Sequence, residues 1–175
     1  MSERAAASRD ARAELADIYD GALPYVYGYL LSRCGQVAVA EDLTAETLLA
    51  AVDAVRRDEP PTVSIAWLIG VARHKLVDHW RRQEREERGL RAAATEEPEP
   101  EDPWDAQLDG LQAQAVLDQL SSHHRSALTL RYLDDLPVAD VAALLDRSVH
   151  ATEALLVRAR SAFRRVYRAE GSGDV

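Results

Sequence analysis

The sequence predicts an all-α protein: two small helical domains joined by a flexible acidic linker, the C-terminal one a helix-turn-helix. Three observations carry this reading. Alanine, leucine and arginine dominate the 175 residues, with only eight glycines and seven prolines and few β-branched runs, a composition that favours helix over sheet. Apolar residues recur at helical spacing through most of the chain. One stretch, GLRAAATEEPEPEDP (89–103), breaks that pattern with acids, three prolines and almost no large apolar side chain. Such a composition makes an exposed tether.

The domain before the tether, 9–88, is predicted to hold three helices. The first runs over Arg9–Leu23. Pro24, which lacks an N–H, restarts it; Tyr25–Cys34 continues it, and Gly35 stops it. The second spans Val39–Arg57, with Leu43, Thr47, Ala50, Ala51 and Ala54 at core spacing. Pro60 and Pro61 force Asp58–Thr62 into a loop. Ser64 caps a third helix that continues to Arg88. Its buried stripe is Leu68, Ala72, Leu76 and Trp80, while Arg73, His74, Val77, Asp78 and Arg81 fall on another face.

The domain after the tether, 104–170, is predicted as four helices: Trp104–Leu120, Ser122–Leu133, Pro137–Leu145 and Val149–Glu170, followed by a frayed tail. Val138, Val141, Ala142 and Leu145 form the buried side of the third of these. Asp146 and Arg147 make the turn, and Ser148 caps the last helix. Val149, Thr152, Leu156, Ala159 and Phe163 should hold that helix against the core. A helix supported in this way can put its N-terminal residues into a major groove.

A net charge of −9 opposes nucleic-acid binding only in the sum. Residues 86–118 hold ten acids against two bases, whereas 1–85 hold thirteen acids against eleven bases. Arg73–Arg82 carries four bases and one acid, and Arg158–Arg168 carries five arginines and no acid. Local patches of this kind decide where a polyanion docks. Cys34 is the only cysteine, which excludes an internal disulfide and a cysteine-built zinc site. No apolar run approaches the ~18 residues needed to span a bilayer, and MSERAAASRDARAE has no signal-peptide core. A cytoplasmic protein with no membrane insertion is expected.

Three segments then carry a family resemblance. Leu117–Tyr167, LDQLSSHHRSALTLRYLDDLPVADVAALLDRSVHATEALLVRARSAFRRVY, resembles the C-terminal promoter-binding domain of extracytoplasmic-function sigma factors, the group IV branch of the sigma-70 family. AEDLTAET (Ala40–Thr47) resembles their signature in the helix that docks on the polymerase clamp, and AWLIGVARHKLVDHWRR (Ala66–Arg82) resembles their helix that engages the upstream element during melting. All three occur in the family's order. The resemblance implies a dissociable subunit of bacterial RNA polymerase that directs initiation through the −10 and −35 elements. It implies as partners the core enzyme through its β and β′ subunits, promoter DNA, and an anti-sigma factor.

Residue by residue, the resemblance places Glu41, Asp42 and Glu46 against the polymerase. It places Asp58, Ser64, Arg73, His74, Lys75, Arg81 and Arg82 at the melted −10 strand, where a flipped base needs a pocket and the strand needs cations. Arg147, Ser148, His150, Glu153, Ala154, Arg158, Arg160 and Arg164 fall to the −35 contact. Two departures stand out. Ala45 and Leu48 stand where the clamp motif usually has glutamine and phenylalanine, on either side of a retained Thr47. Glu153 and Leu155 replace a usual lysine and arginine on turns expected to meet bases or phosphates. The acidic tether, by the same resemblance, threads the polymerase cleft towards the RNA exit path.

Other readings of these residues are blander. His74, Asp78 and His79 have metal-like spacing and His123 and His124 add two imidazoles, yet no further ligand pattern completes a site. Neither metal nor cofactor is expected. Glu41, Asp42 and Glu46 could pair as catalytic carboxylates, but no nucleophile or glycine-rich phosphate loop accompanies them, so the chain is not read as an enzyme. The alternatives to a sigma subunit are a stand-alone helix-turn-helix regulator and a decoy that sequesters an anti-sigma partner.

Overall fold

The computed structural model describes residues 19–57, 59–90 and 110–171. These residues form helices joined by short turns, with no strand among them. The described part of α1 covers 19–34. It is followed by α2 (Val37–Ala54), α3 (Ile65–Leu90), α4 (Gly110–Gln119), α5 (Ser122–Leu128), a π-helical turn (Thr129–Leu133), α6 (Val138–Leu145) and α7 (Val149–Gly171). The all-α expectation is met. No described helix is long and apolar enough to cross a membrane. The expected tether 89–103 starts two residues too early, because α3 continues through Leu90; the expected helical start at Arg9, the loop residue Asp58 and residues 91–109 lie outside the described residues.

Two compact units divide inside α3, between Leu76 and Val77. In the first, α1 buries Ala22, Val26, Leu30 and Cys34, a strict four-residue stripe. Helix α1 is continuous through Pro24 and does not restart there. Pro24 lies on the exposed side of the helix, away from the buried Ala22 and Val26, so its missing N–H costs one hydrogen bond without disturbing the core. Gly35 ends the helix at φ 68°, its N–H donating to Leu31 O at 2.9 Å. Helix α2 buries Ala40, Leu43, Thr44, Thr47, Leu48, Ala51 and Ala54. Its two buried threonines donate to the carbonyls one turn back, Thr44 to Ala40 at 2.6 Å and Thr47 to Leu43 at 2.7 Å. Ala50 is only half-buried, and the helix closes three residues earlier than expected through a tightened turn at 55–57. Ser64 caps α3 as expected, its Oγ accepting from the Trp67 N–H at 3.2 Å.

In the second unit, α7 packs on α4, α5 and α6. The core unites Val116, Leu117, Leu120, Ala127, Leu128, Leu155, Leu156, Ala159, Ala162 and Phe163. Phe163 and Tyr167 stack at 5.9 Å between centroids. The predicted Ser122–Leu133 helix changes character at Thr129, where Asp134 N–H reaches Thr129 O at 3.0 Å in a wider turn. Arg125, only 8% exposed, is satisfied by the end of α4: its Nε donates to Leu117 O at 2.9 Å and its guanidinium to Asp118 O. Leu117 O also accepts from the Leu120 N–H at 3.2 Å, so the arginine reinforces the closing turn of α4 and serves the last-turn carbonyl of Asp118.

Candidate nucleic-acid and polymerase interfaces

The helix-turn-helix geometry is set by one left-handed residue. Asp146 sits at φ 54°, ψ 49°, with its N–H on Ala143 O at 3.3 Å and the Arg147 N–H on Ala142 O at 2.9 Å. This paired closure stops α6 sharply and redirects the chain into α7. Ser148 then caps α7, accepting from the Ala151 N–H at 3.1 Å, and the Thr152 hydroxyl donates to Ser148 O at 3.0 Å.

Two sides of α7 separate cleanly. Thr152, Leu155, Leu156, Ala159, Ala162 and Phe163 are buried. Val149, His150, Glu153, Ala154, Arg158, Arg165 and Arg168 are exposed. Two expectations are corrected here. Leu155, 1% exposed, belongs to the core and to no reading surface, because it falls one helical turn from Thr152 and Ala159 on the inward side. Val149, 47% exposed, does not anchor the helix; as its first residue it projects past the buried arc that begins at Thr152. On the outer side, His150 Nδ1 lies 4.0 Å from Glu153 Oε2, and Ala154, Arg158 and Arg165 share one stripe. Arg160 donates to the Tyr132 hydroxyl at 3.2 Å, and Arg164 is half-buried. Arg147 donates to Glu84 at 2.8 Å.

In the first unit, Glu41 and Asp42 are exposed on α2, and Glu46 is partly exposed. Glu46 Oε2 lies 3.7 Å from Lys75 Nζ on α3, so one predicted polymerase residue is paired with one predicted −10 residue. Beside Glu41, a mainly apolar cavity of ≈ 440 Å³ is lined by Tyr19, Leu23, Tyr27, Ala45 and Leu48 among others. Along α3, Arg73 is half-buried and His74 exposed. Arg81 and Arg82 belong to the second unit: Arg82 is exposed, whereas Arg81 donates to Leu144 O and lies 3.8 Å from Asp78. Trp80 is buried and Trp67 half-buried. Glu84 and Glu87 make polar contacts that no motif announces. Their only sequence signal is a charge-rich helix face, which usually means solvent exposure.

The family model for Sigma-70 region 2 matches residues 18–86, and that for Sigma-70 region 4 matches residues 110–163. The chain belongs to the sigma-70 family, among the extracytoplasmic-function sigma factors. It is 32% identical over 147 residues to the ECF RNA polymerase sigma factor BldN of Streptomyces coelicolor, covering 81% of this chain. That match spans 56% of BldN, a little over half its length. Identity is also 32% over 127 residues to the ECF sigma factor SigC of Mycobacterium tuberculosis, covering 72% of this chain and 69% of SigC. In fold, the chain is similar to the sigma factor RpoE of Bartonella quintana in its co-crystal structure with the anti-sigma factor NepR. The TM-score is 0.52 at 22% identity, over 87% of this chain and 95% of that one. Within this sigma-family chain, the acids of α2 lie in region 2 and the outer side of α7 from Val149 to Arg158 lies in region 4.

Proposed function

We propose that this chain is a dissociable specificity subunit of bacterial RNA polymerase that directs promoter-specific initiation in the cytoplasm. The observation that carries the reading is the joint presence, in order, of region 2 and region 4, each with an exposed charged surface of suitable sign. Glu41, Asp42 and Glu46 meet a basic, partly apolar surface of core polymerase, and the cavity beside Glu41 supplies the apolar part. Ser64, Arg73, His74, Lys75, Arg81 and Arg82, with the Asp58 loop, serve the melted −10 strand. The outer side of α7 meets the −35 duplex: Arg158 and Arg164 hold phosphates, while His150, Glu153 and Ala154 face base edges. Arg147, Ser148 and Arg160 flank that contact.

The tether 91–103 joins a region 2 domain over 9–90 to a region 4 domain over 104–170. The chain supplies specificity, and the core supplies the catalysis. The fold shared with NepR-bound RpoE supports an anti-sigma factor as a further partner. The test measures promoter-duplex binding by the chain with and without core polymerase. Tight binding only with core supports the reading; equally tight binding without core favours a stand-alone regulator.

A further inference from the structure

We propose that the cavity between α1 and α2 is a socket for one apolar side chain projecting from a basic surface of core polymerase, and that Ala45 and Leu48 set which side chain fits. The inference rests on the proposed reading of α2 as the polymerase-facing helix. Glu41, Thr44, Ala45 and Leu48 follow one another at helical spacing, so a single face of α2 forms one wall. Tyr19 and Leu23, one turn apart on α1, stand in the other wall. Leu48 is 7% exposed and lies deep, whereas Ala45 is exposed and lies at the mouth. The Thr44 hydroxyl already donates to Ala40 O at 2.6 Å, so it offers the cavity no free donor.

Charge and shape together name the occupant. Helix α2 carries four acids, Glu41, Asp42, Glu46 and Asp53, and no base, and no cation lines the cavity. A basic surface is therefore drawn to this helix. At ≈ 440 Å³ the cavity is roomy enough for a whole side chain. Its mainly apolar walls lack the convergent polar groups that orient a small-molecule ligand. An apolar anchor in a pocket with charges around it is the usual centre of a protein interface. Ala45 and Leu48 are also the two departures from the clamp motif, and both line this one cavity. A glutamine at 45 would reach across the mouth, and a phenylalanine at 48 would fill the depth. The two shorter side chains open the socket together, so the polymerase side chain that enters it supplies the missing volume. The acids then steer the encounter and weaken with salt, while the buried anchor holds at any salt concentration.

The experiment measures binding of the full chain, fluorescently labelled, to core polymerase over a series of salt concentrations. Ala45→Leu puts apolar bulk into the mouth without changing charge. Gly28→Leu adds the same side chain at an exposed position of α1 outside the cavity, where a Cβ meets nothing within 4 Å. The socket predicts that Ala45→Leu weakens binding about tenfold at every salt concentration, the loss of one buried side chain. Gly28→Leu should stay within about twofold of the unaltered chain. Unchanged or tighter binding by Ala45→Leu, equal losses from the two leucines, or a loss confined to low salt would overturn the socket. Self-association that Ala45→Leu abolishes in sedimentation equilibrium, with core affinity unmoved, would assign the cavity to a second copy and overturn it as well. If Ala45→Leu lowers the melting midpoint, Ala45→Gln carries the test. About threefold weaker binding is then expected, and unchanged or tighter binding contradicts the socket. An unaltered chain that does not bind core would overturn the proposed function itself, and the socket with it.

Discussion

Arg147, the residue that follows the left-handed turn of the helix-turn-helix, is paired at 2.8 Å with Glu84 on α3, and both side chains are largely withdrawn from solvent. A charge-assisted bond at this depth outweighs an exposed ion pair, because water and salt screen it less. A double-mutant cycle with Glu84→Gln and Arg147→Gln, read by urea denaturation, should show a coupling of about 1 kcal/mol. Zero coupling would mean that the pair adds nothing to the folded state.

Arg125 makes a stronger claim on stability. Its buried guanidinium serves Leu117 O and Asp118 O, and Asp118 Oδ1 lies 3.8 Å away. Arg125→Met keeps much of the apolar stem but opens the end of α4, and should cost about 2–3 kcal/mol in chemical denaturation. A loss below about 0.5 kcal/mol would show that water replaces those bonds without penalty.

Asp146 sits in the left-handed region that glycine occupies without a Cβ penalty. Asp146→Gly should therefore leave stability unchanged or raise it by up to about 1 kcal/mol, whereas Asp146→Val should lower it by about 1–2 kcal/mol. The thermal midpoints of the two variants check this, and the reverse order would contradict the strained turn.

Much of the fold is legible in the sequence because its signals are local. Ser64 and Ser148 announce helix starts through their own hydroxyls, Gly35 a stop, and the four-residue stripe of α1 a buried side. What is not legible depends on neighbours remote in sequence. Leu155 reads as a replaced arginine on the DNA-facing surface, and only the packing of α7 on α4 and α5 places it inside. Pro24 reads as a break, yet one missing bond on an exposed side does not end a helix. Glu84 and Glu87 sit in the charge run EREER, which reads as solvated, and only three-dimensional proximity gives them Arg147 and Ser122.

For DNA binding, Arg158 and Arg165 share the exposed stripe of α7. Replacing either with alanine should weaken binding by the polymerase complex across all sequences. The slope of log K against log salt should become shallower by ~0.9 for each phosphate that is no longer neutralised. Glu153→Lys should tighten binding by about 1 kcal/mol by removing a like charge. Weaker binding on Glu153→Lys would show that the carboxylate accepts from a cytosine amine.

The central claim, that this chain brings core polymerase to promoters through the acids of α2, is tested most directly by transcription in vitro on genomic fragments. Core with the unaltered chain should yield discrete transcripts from a subset of fragments. Asp42→Lys combined with Glu46→Lys should abolish both those transcripts and co-purification with core while leaving the melting midpoint within about 3 °C, since Asp42 is exposed and Glu46 partly so. No promoter-dependent transcript with the unaltered chain, or an unchanged transcript pattern with the doubly reversed one, would contradict the account.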